Sequence, residues 1–139
     1  MARWDPDKGW HASVESHVDC DARGVLLRGA DVVLANSRHA PFGLVGIETM
    51  AVGGIACTGT SGEDYARAGE NALVIAREDP GEFSAQFEAV FACADHVEAM
   101  RRCGLRTARQ YTWPRVLERH LLPCIGAFDA LALNALRVA

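Results

Sequence analysis

Apolar positions along the chain recur with a helical period in some stretches and as short unbroken runs in others. Asp5-Pro6-Asp7-Lys8-Gly9 is a turn, since proline presets φ and the aspartates accept local backbone bonds. Trp10, Val14 and Val18 then recur at i, i+4 and i+8, which predicts one short helix. A second helix is predicted from about Asp21 to Gly29, with Val25 and Leu26 buried. Asp31-Val32-Val33-Leu34-Ala35 is a β-branched apolar run, expected as a strand buried on both faces. A loop over 36–41 follows, and Gly43 opens a helix through about Val52 that Gly53-Gly54 closes.

Ile55 to Thr58 is the next predicted strand, and a loop of small residues, Gly59 to Gly62, follows it. Ala72 to Ala76 is a third strand. Asp79 and Pro80 start a long helix whose apolar face is Phe83, Phe87, Val90, Ala94 and Val97. Thr112 is placed to N-cap a further helix, with Pro114 in its first turn. Pro123 should end that helix, and an Ala/Leu-rich helix should run on to about Val138. Strands alternating with helices predict an α/β layered domain built on a small parallel sheet.

Composition narrows the classes. At 139 residues, half of them hydrophobic, the chain is expected to form a single domain over 1–139. A net charge of −4 argues against nucleic-acid or anionic-membrane partners, which need a basic face. The apolar stretch from Cys124 to Leu136 is broken by Asp129 and Asn134, so no membrane span is expected. The opening residues are charged and lack an apolar signal core, which predicts a cytoplasmic protein. Five cysteines, odd in number and without a C-x-x-C, then default to reduced thiols. Cys93-x-x-His96 with Cys103 would face one way on a helix, as metal ligands must. The spacing is not that of a zinc site, so small buried hydrophobes are the preferred reading.

In such a sheet ligands bind beyond the carboxyl ends of the strands, where loops enter helices. There the chain places Ser37-Arg38-His39-Ala40-Pro41-Phe42-Gly43-Leu44. Gly43 allows close backbone approach, and the amides of Leu44 and Val45 at a helix start suit an anion. Glu48, one turn on, would reach hydroxyls of the same ligand. On local chemistry alone, a tight turn and a solvated glutamate explain these residues as well. No dinucleotide fingerprint, Walker A loop, H-E-x-x-H or G-x-S-x-G occurs, and Ser37 and His39 lack the third partner of a catalytic set.

The stretch ADVVLANSRHAPFGLVGIETMAVGG, from Ala30 to Gly54, resembles the signature of retaining GT-B glycosyltransferases of the group 1, family 4 type. Ser37, Phe42-Gly43-Leu44-Val45, Glu48, Met50-Ala51 and Gly53 match that signature in register. The following IACTGTSGEDYARAGENALVIA is also similar, with Glu63 after the small-residue loop and G-x-N-A-L-V from Gly69 to Val74. TARQYTWPRVLERHL is similar to the family's terminal segment, and Arg3-x-x-x-x-Lys8-Gly9 to its first phosphate loop.

The resemblance implies a Rossmann-like parallel sheet with flanking helices, the C-terminal half of a GT-B fold with fewer strands. It divides the chain into a phosphate loop over 3–10, a donor-site core over 30–76 and a helical part over 80–139. It implies that a nucleotide-diphosphate sugar, UDP- or GDP-linked, is the donor. Arg3 and Lys8 would bind its pyrophosphate, the backbone from Gly43 to Val45 its phosphates, and Glu48 its ribose. Ser37 and Phe42 would complete the donor-binding set. Two cations offset the leaving diphosphate, so no metal cofactor is expected.

Three departures qualify this. The signature carries a donor-contacting glutamate eight residues before Glu48, where this chain has Ala40; a methyl group makes no hydrogen bond to a sugar hydroxyl. Only about twenty residues separate the Arg/Lys loop from Ala30, too few for a full β-α-β unit of roughly 30. An acceptor-binding half has no counterpart in these residues. The expectation is a donor-binding domain that needs an acceptor-binding subunit or a second copy, with a non-catalytic nucleotide-binding or assembly module as the alternative.

Overall fold

The computed structural model describes residues 2–5, 9–12, 19–35, 42–60, 64–77 and 79–126; residues 2–5, 9–12, 20 and 21 are described by backbone alone. Strands β1 (Ala2–Asp5) and β2 (Gly9–Ala12) form an antiparallel hairpin in register from Ala2 opposite Ala12 to Asp5 opposite Gly9. Trp10 therefore lies in a strand opposite Trp4, not in the helix expected from its spacing with Val14 and Val18, which fall outside the described residues. The difference has a physical reason: a hydrophobic period reports one segment alone, whereas β2 is fixed by backbone pairing with Ala2–Asp5.

Helix α1 (Cys20–Gly29) starts at Asp19, whose carboxylate accepts from the Ala22 amide at 2.7 Å. Leu26 and Leu27 are half-buried, whereas Val25 is 72% exposed, against expectation. The strand β3 (Val33–Leu34), helix α2 (Leu44–Ala51) and strands β4 (Ala56–Thr58) and β5 (Leu73–Val74) make the core of the fold. The three strands are parallel, ordered β3-β4-β5, with Val33 beside Ala56 and Cys57 beside Leu73. The α/β reading is thus borne out. Burial of β3 on both faces is not: it is an edge strand, and Leu34 is 65% exposed.

Central β4 feeds both faces by the two-residue period of a strand. Ile55 and Cys57 join Leu73 and Met100, with Phe83, Val90, Phe91 and Val97 packed around them. Ala56 points the other way, into a cluster with Ile47, Met50, Tyr65, Ala72 and Ala108. Helix α2 closes in a Schellman motif: the Gly53 amide donates to Met50 at 3.1 Å and the Gly54 amide to Thr49 at 2.9 Å. Gly53 takes φ +80°, which a side chain would resist.

The single long helix expected after Pro80 is two, α3 (Pro80–Phe91) and α4 (Ala94–Ala108), separated at an extended Cys93. An unbroken helix from Pro80 to Ala108 would extend roughly 43 Å, far beyond a three-stranded sheet. The break turns Met100, Gly104 and Ala108 back onto the core, where all three are buried. A 3-10 turn (Arg109–Tyr111) and helix α5 (Trp113–Val116) follow. Thr112 makes no side-chain cap; its hydroxyl donates to the Arg109 carbonyl at 3.5 Å.

Pro123 does not end the helix. A π-turn over Leu117–Leu121 precedes it, with the Leu122 amide donating to Leu117, and helical backbone continues to residue 126. The wider turn gives the proline ring room within the helix. The expected helix to Val138 falls mostly outside the described residues. No helix among the described residues is long and apolar enough to cross a membrane.

Candidate functional site

The site develops at the carboxyl end of the sheet, where α2 begins. Gly43 is its N-cap, is buried, and offers no side chain; among the described residues none caps α2 in its place. Among the described residues, the first-turn amides of Leu44, Val45 and Gly46 therefore have no side-chain acceptor, and a helix start of this kind favours an anion. Phe42, Leu44 and Val45 flank this turn with exposed apolar side chains.

Glu48 lies one turn further along α2, its carboxylate 3.7 Å from the Arg23 guanidinium of α1. Both side chains are partly exposed, so the pair is a loose one in which solvent screens the attraction. Arg23 brings a cation beside Glu48 that the sequence did not disclose, because α1 carries no motif. Its position follows only from the packing of α1 on α2, where Arg28 also donates to the Val52 carbonyl at 3.2 Å.

A second residue escaped the sequence reading. Thr58 ends β4 on the same face as Ala56, is fully buried, and its hydroxyl has no hydrogen-bond partner. Its methyl group would stand 3.2 Å from a Cβ at Gly46, so the residue packs against the first turn of α2. A buried hydroxyl without a partner costs roughly 1–3 kcal/mol, and such groups concentrate where a ligand or ion completes them. The last residue of a central parallel strand is where that signal was available in the sequence.

Tyr65 shapes the turn from the other side. It is 3% exposed, and its hydroxyl donates a short hydrogen bond to the Gly43 carbonyl. Its ring packs edge-on against Phe42 and Tyr111, with centroids 5.4 and 5.9 Å away. Gly46 makes room: a Cβ there would collide with the Tyr65 hydroxyl and come within 3.3 Å of its Cζ.

The other expected site residues divide by location. Phe42, Gly43, Leu44, Val45 and Glu48 are brought together on and beside α2. Lys8, Ser37 and Ala40 lie outside the described residues, and Arg3 is described only as a backbone position in β1, opposite His11. A cavity of about 280 Å³ opens beyond Tyr65 and Tyr111, between the 64–70 segment and α4, lined by Arg67, Glu70, Arg106, Thr107 and Gln110 among others. No α2 residue lines it.

The thiols are free at Cys57, Cys93, Cys103 and Cys124. Cys57 is buried as expected for a small hydrophobe, but Cys93, at the extended joint between α3 and α4, and Cys124, in the last described helical stretch, are exposed. Burial, aided by the Glu82 carboxylate, pushes the Cys57 thiol up to about 11. Among the described residues no three His, Cys, Asp or Glu side chains gather as a metal site would require.

No protein-family profile and no curated protein matches the chain. Among solved structures it is similar to the C-terminal domain of a glycosyl transferase group 1 family protein (LpcC) from Francisella tularensis. The TM-score is 0.62 at 15% sequence identity, covering 70% of this chain and 51% of that one. The chain thus spans about half the length of the solved domain it matches. It is an α/β chain with an open parallel sheet and flanking helices, and its fold resembles a glycosyltransferase C-terminal domain.

Proposed function

We propose that this chain is the donor-binding part of a retaining glycosyltransferase of the GT-B type, holding a UDP- or GDP-sugar at the start of α2. The observation that carries the reading is the uncapped first turn of α2 beside the partnerless, buried Thr58 hydroxyl. Amides from Leu44 to Gly46 receive the diphosphate, Thr58 lies buried behind that turn, and Glu48 takes the ribose hydroxyls in place of Arg23. Arg3 and Lys8 supply cations to the pyrophosphate, and Ser37 and Phe42 border the donor. No metal ion is needed in this scheme, since fixed donors and cations offset the leaving diphosphate. The acceptor is held by a partner from outside these 139 residues or by a second copy, and the protein acts in the cytoplasm, where its thiols stay reduced.

Titration calorimetry with UDP and GDP tests this reading. Binding of either nucleotide is expected, weakened about tenfold by Glu48→Ala through loss of a charge-assisted bond pair. No heat from either nucleotide, with the protein folded by circular dichroism, would overturn it. One observation favours a second reading, a non-catalytic nucleotide-binding module: Ala40 stands where the resembled signature has its sugar-contacting glutamate. Transfer or donor hydrolysis that appears only in Ala40→Glu would establish that reading, and turnover by the unaltered chain with an acceptor partner would exclude it.

A further inference from the structure

We infer that Tyr65 is the positioning residue of the α2 amino terminus, which rests on the diphosphate reading above for its function but not for its geometry. The Gly43 carbonyl and the Leu44 N–H belong to the same trans peptide plane and point in opposite directions. Whatever fixes the carbonyl therefore aims the amide. As N-cap, Gly43 already accepts the first intrahelical bond, and the Tyr65 hydroxyl occupies the second lone pair of the same oxygen.

Tyr65 is itself held at three points. The Asn71 amide donates to its carbonyl at 2.9 Å, and the Asn71 carbonyl oxygen takes the Arg67 amide at 2.7 Å. Asn71 also donates to the Thr107 hydroxyl of α4 at 2.9 Å. The ring is gripped between Phe42 and Tyr111, whose own centroids are 5.6 Å apart. The tip is received where Gly46 leaves out a side chain. Rotating the Gly43–Leu44 peptide away from its ligand-facing orientation breaks the hydroxyl bond and leaves a buried phenol without that acceptor. The turn is thus preorganised, and a preorganised donor loses less on binding than one that must be ordered.

Tyr65→Phe removes the hydroxyl and keeps the stacked ring. Amide hydrogen exchange at Ile47, whose N–H closes the first intrahelical bond onto the Gly43 carbonyl, is expected to accelerate about five- to tenfold, the equivalent of one hydrogen bond, with circular dichroism unchanged. Affinity for inorganic pyrophosphate, read by calorimetry, is expected to fall by a similar factor. Unchanged exchange at the Ile47 amide would overturn the positioning role whatever pyrophosphate does. Faster exchange with no pyrophosphate binding by the unsubstituted protein would uphold the positioning role and overturn the diphosphate reading. If Tyr65→Phe does not fold, the chain's two tyrosines allow 3-fluorotyrosine labelling, with the Tyr65 resonance assigned through Tyr111→Phe. A ¹⁹F shift at Tyr65 during pyrophosphate titration then supports the inference, and a resonance that stays fixed through saturation overturns it.

Discussion

Asn71 does more for this chain than its place in a G-x-N-A-L-V run suggests. Its side chain satisfies a backbone amide, a backbone carbonyl and the Thr107 hydroxyl while 2% exposed. Asn71→Ala strands those groups, and a loss of about 2–4 kcal/mol is expected from urea unfolding. Asn71→Asp, which keeps the acceptor, should lose less of the Arg67 bond yet bury a charge. Cys57 gives a pH prediction. Its thiol is held up to about 11 by burial, while the unfolded thiol ionises near its ordinary value of 9.0. A folded-state pKa raised in this way leaves stability intact below pH 9 and removes it as pH climbs through 11. The loss approaches about 2–3 kcal/mol. Urea midpoints at pH 8 and pH 10.5 should diverge in the unsubstituted chain and diverge less in Cys57→Ala. At neutral pH a thiol reagent should spare Cys57 and modify Cys93 and Cys124.

Among the elements, the joint between β5 and α3 is braced by Glu82. Its carboxylate accepts from the Ala76 amide at 3.1 Å and the Arg77 amide at 2.9 Å, and these bonds hold its pKa below the usual glutamate value. A lowered folded-state pKa means the brace is complete above the ordinary glutamate range and fails as pH falls through the depressed value. The protection of the Ala76 and Arg77 amides, relative to their intrinsic exchange rates, should therefore fall in acid, and Glu82→Gln should show that loss at pH 7. Gly54 ties α1 to the α2–β4 corner: a Cβ there would stand 2.5 Å from the Leu27 carbonyl, a backbone atom that cannot step aside. Gly54→Ala is expected to lower stability by about 1–3 kcal/mol by thermal melt.

The elements legible in the sequence were those whose pattern and punctuation agreed. Helix α2 announced itself through Gly43 and the Gly53-Gly54 pair, and β4 through an apolar run that is buried throughout. Trp10 misled because period alone cannot see a partner strand, here Ala2–Asp5. The break at Cys93 carries no glycine or proline, since it is imposed by the size of the sheet. Pro123 was overridden by the π-turn ahead of it. At the site, the α2 residues were legible as a contiguous run. Tyr65 and Arg23 were not, because each reaches α2 through tertiary packing, and Thr58 was marked only by its place at the end of β4.

At the scale of the whole molecule, a three-stranded sheet has two edges, and here β3 is one of them, with Leu34 open to solvent. The last described helical stretch adds Trp113, 77% exposed, with Leu121, Leu122 and Ile125 also turned outward. Exposed apolar side chains, and a strand edge left open among the described residues, both favour association. Self-association, or pairing with an acceptor-binding subunit, is accordingly expected. Light scattering across a tenfold concentration range should show a mass that rises with concentration; a constant monomer mass would count against it.

The aromatic trio has a consequence at this scale. Tyr111 belongs to the turn that launches the C-terminal helices, yet its ring touches Phe42 and Tyr65 at the mouth of α2. Binding equilibria that share one set of contacts are reciprocal. If a nucleotide draws the trio tighter, it must strengthen by the same factor the affinity of whatever docks on the helices beyond Tyr111. An acceptor-bearing partner seated there would then report donor occupancy through its own dissociation constant, with no contact to the nucleotide.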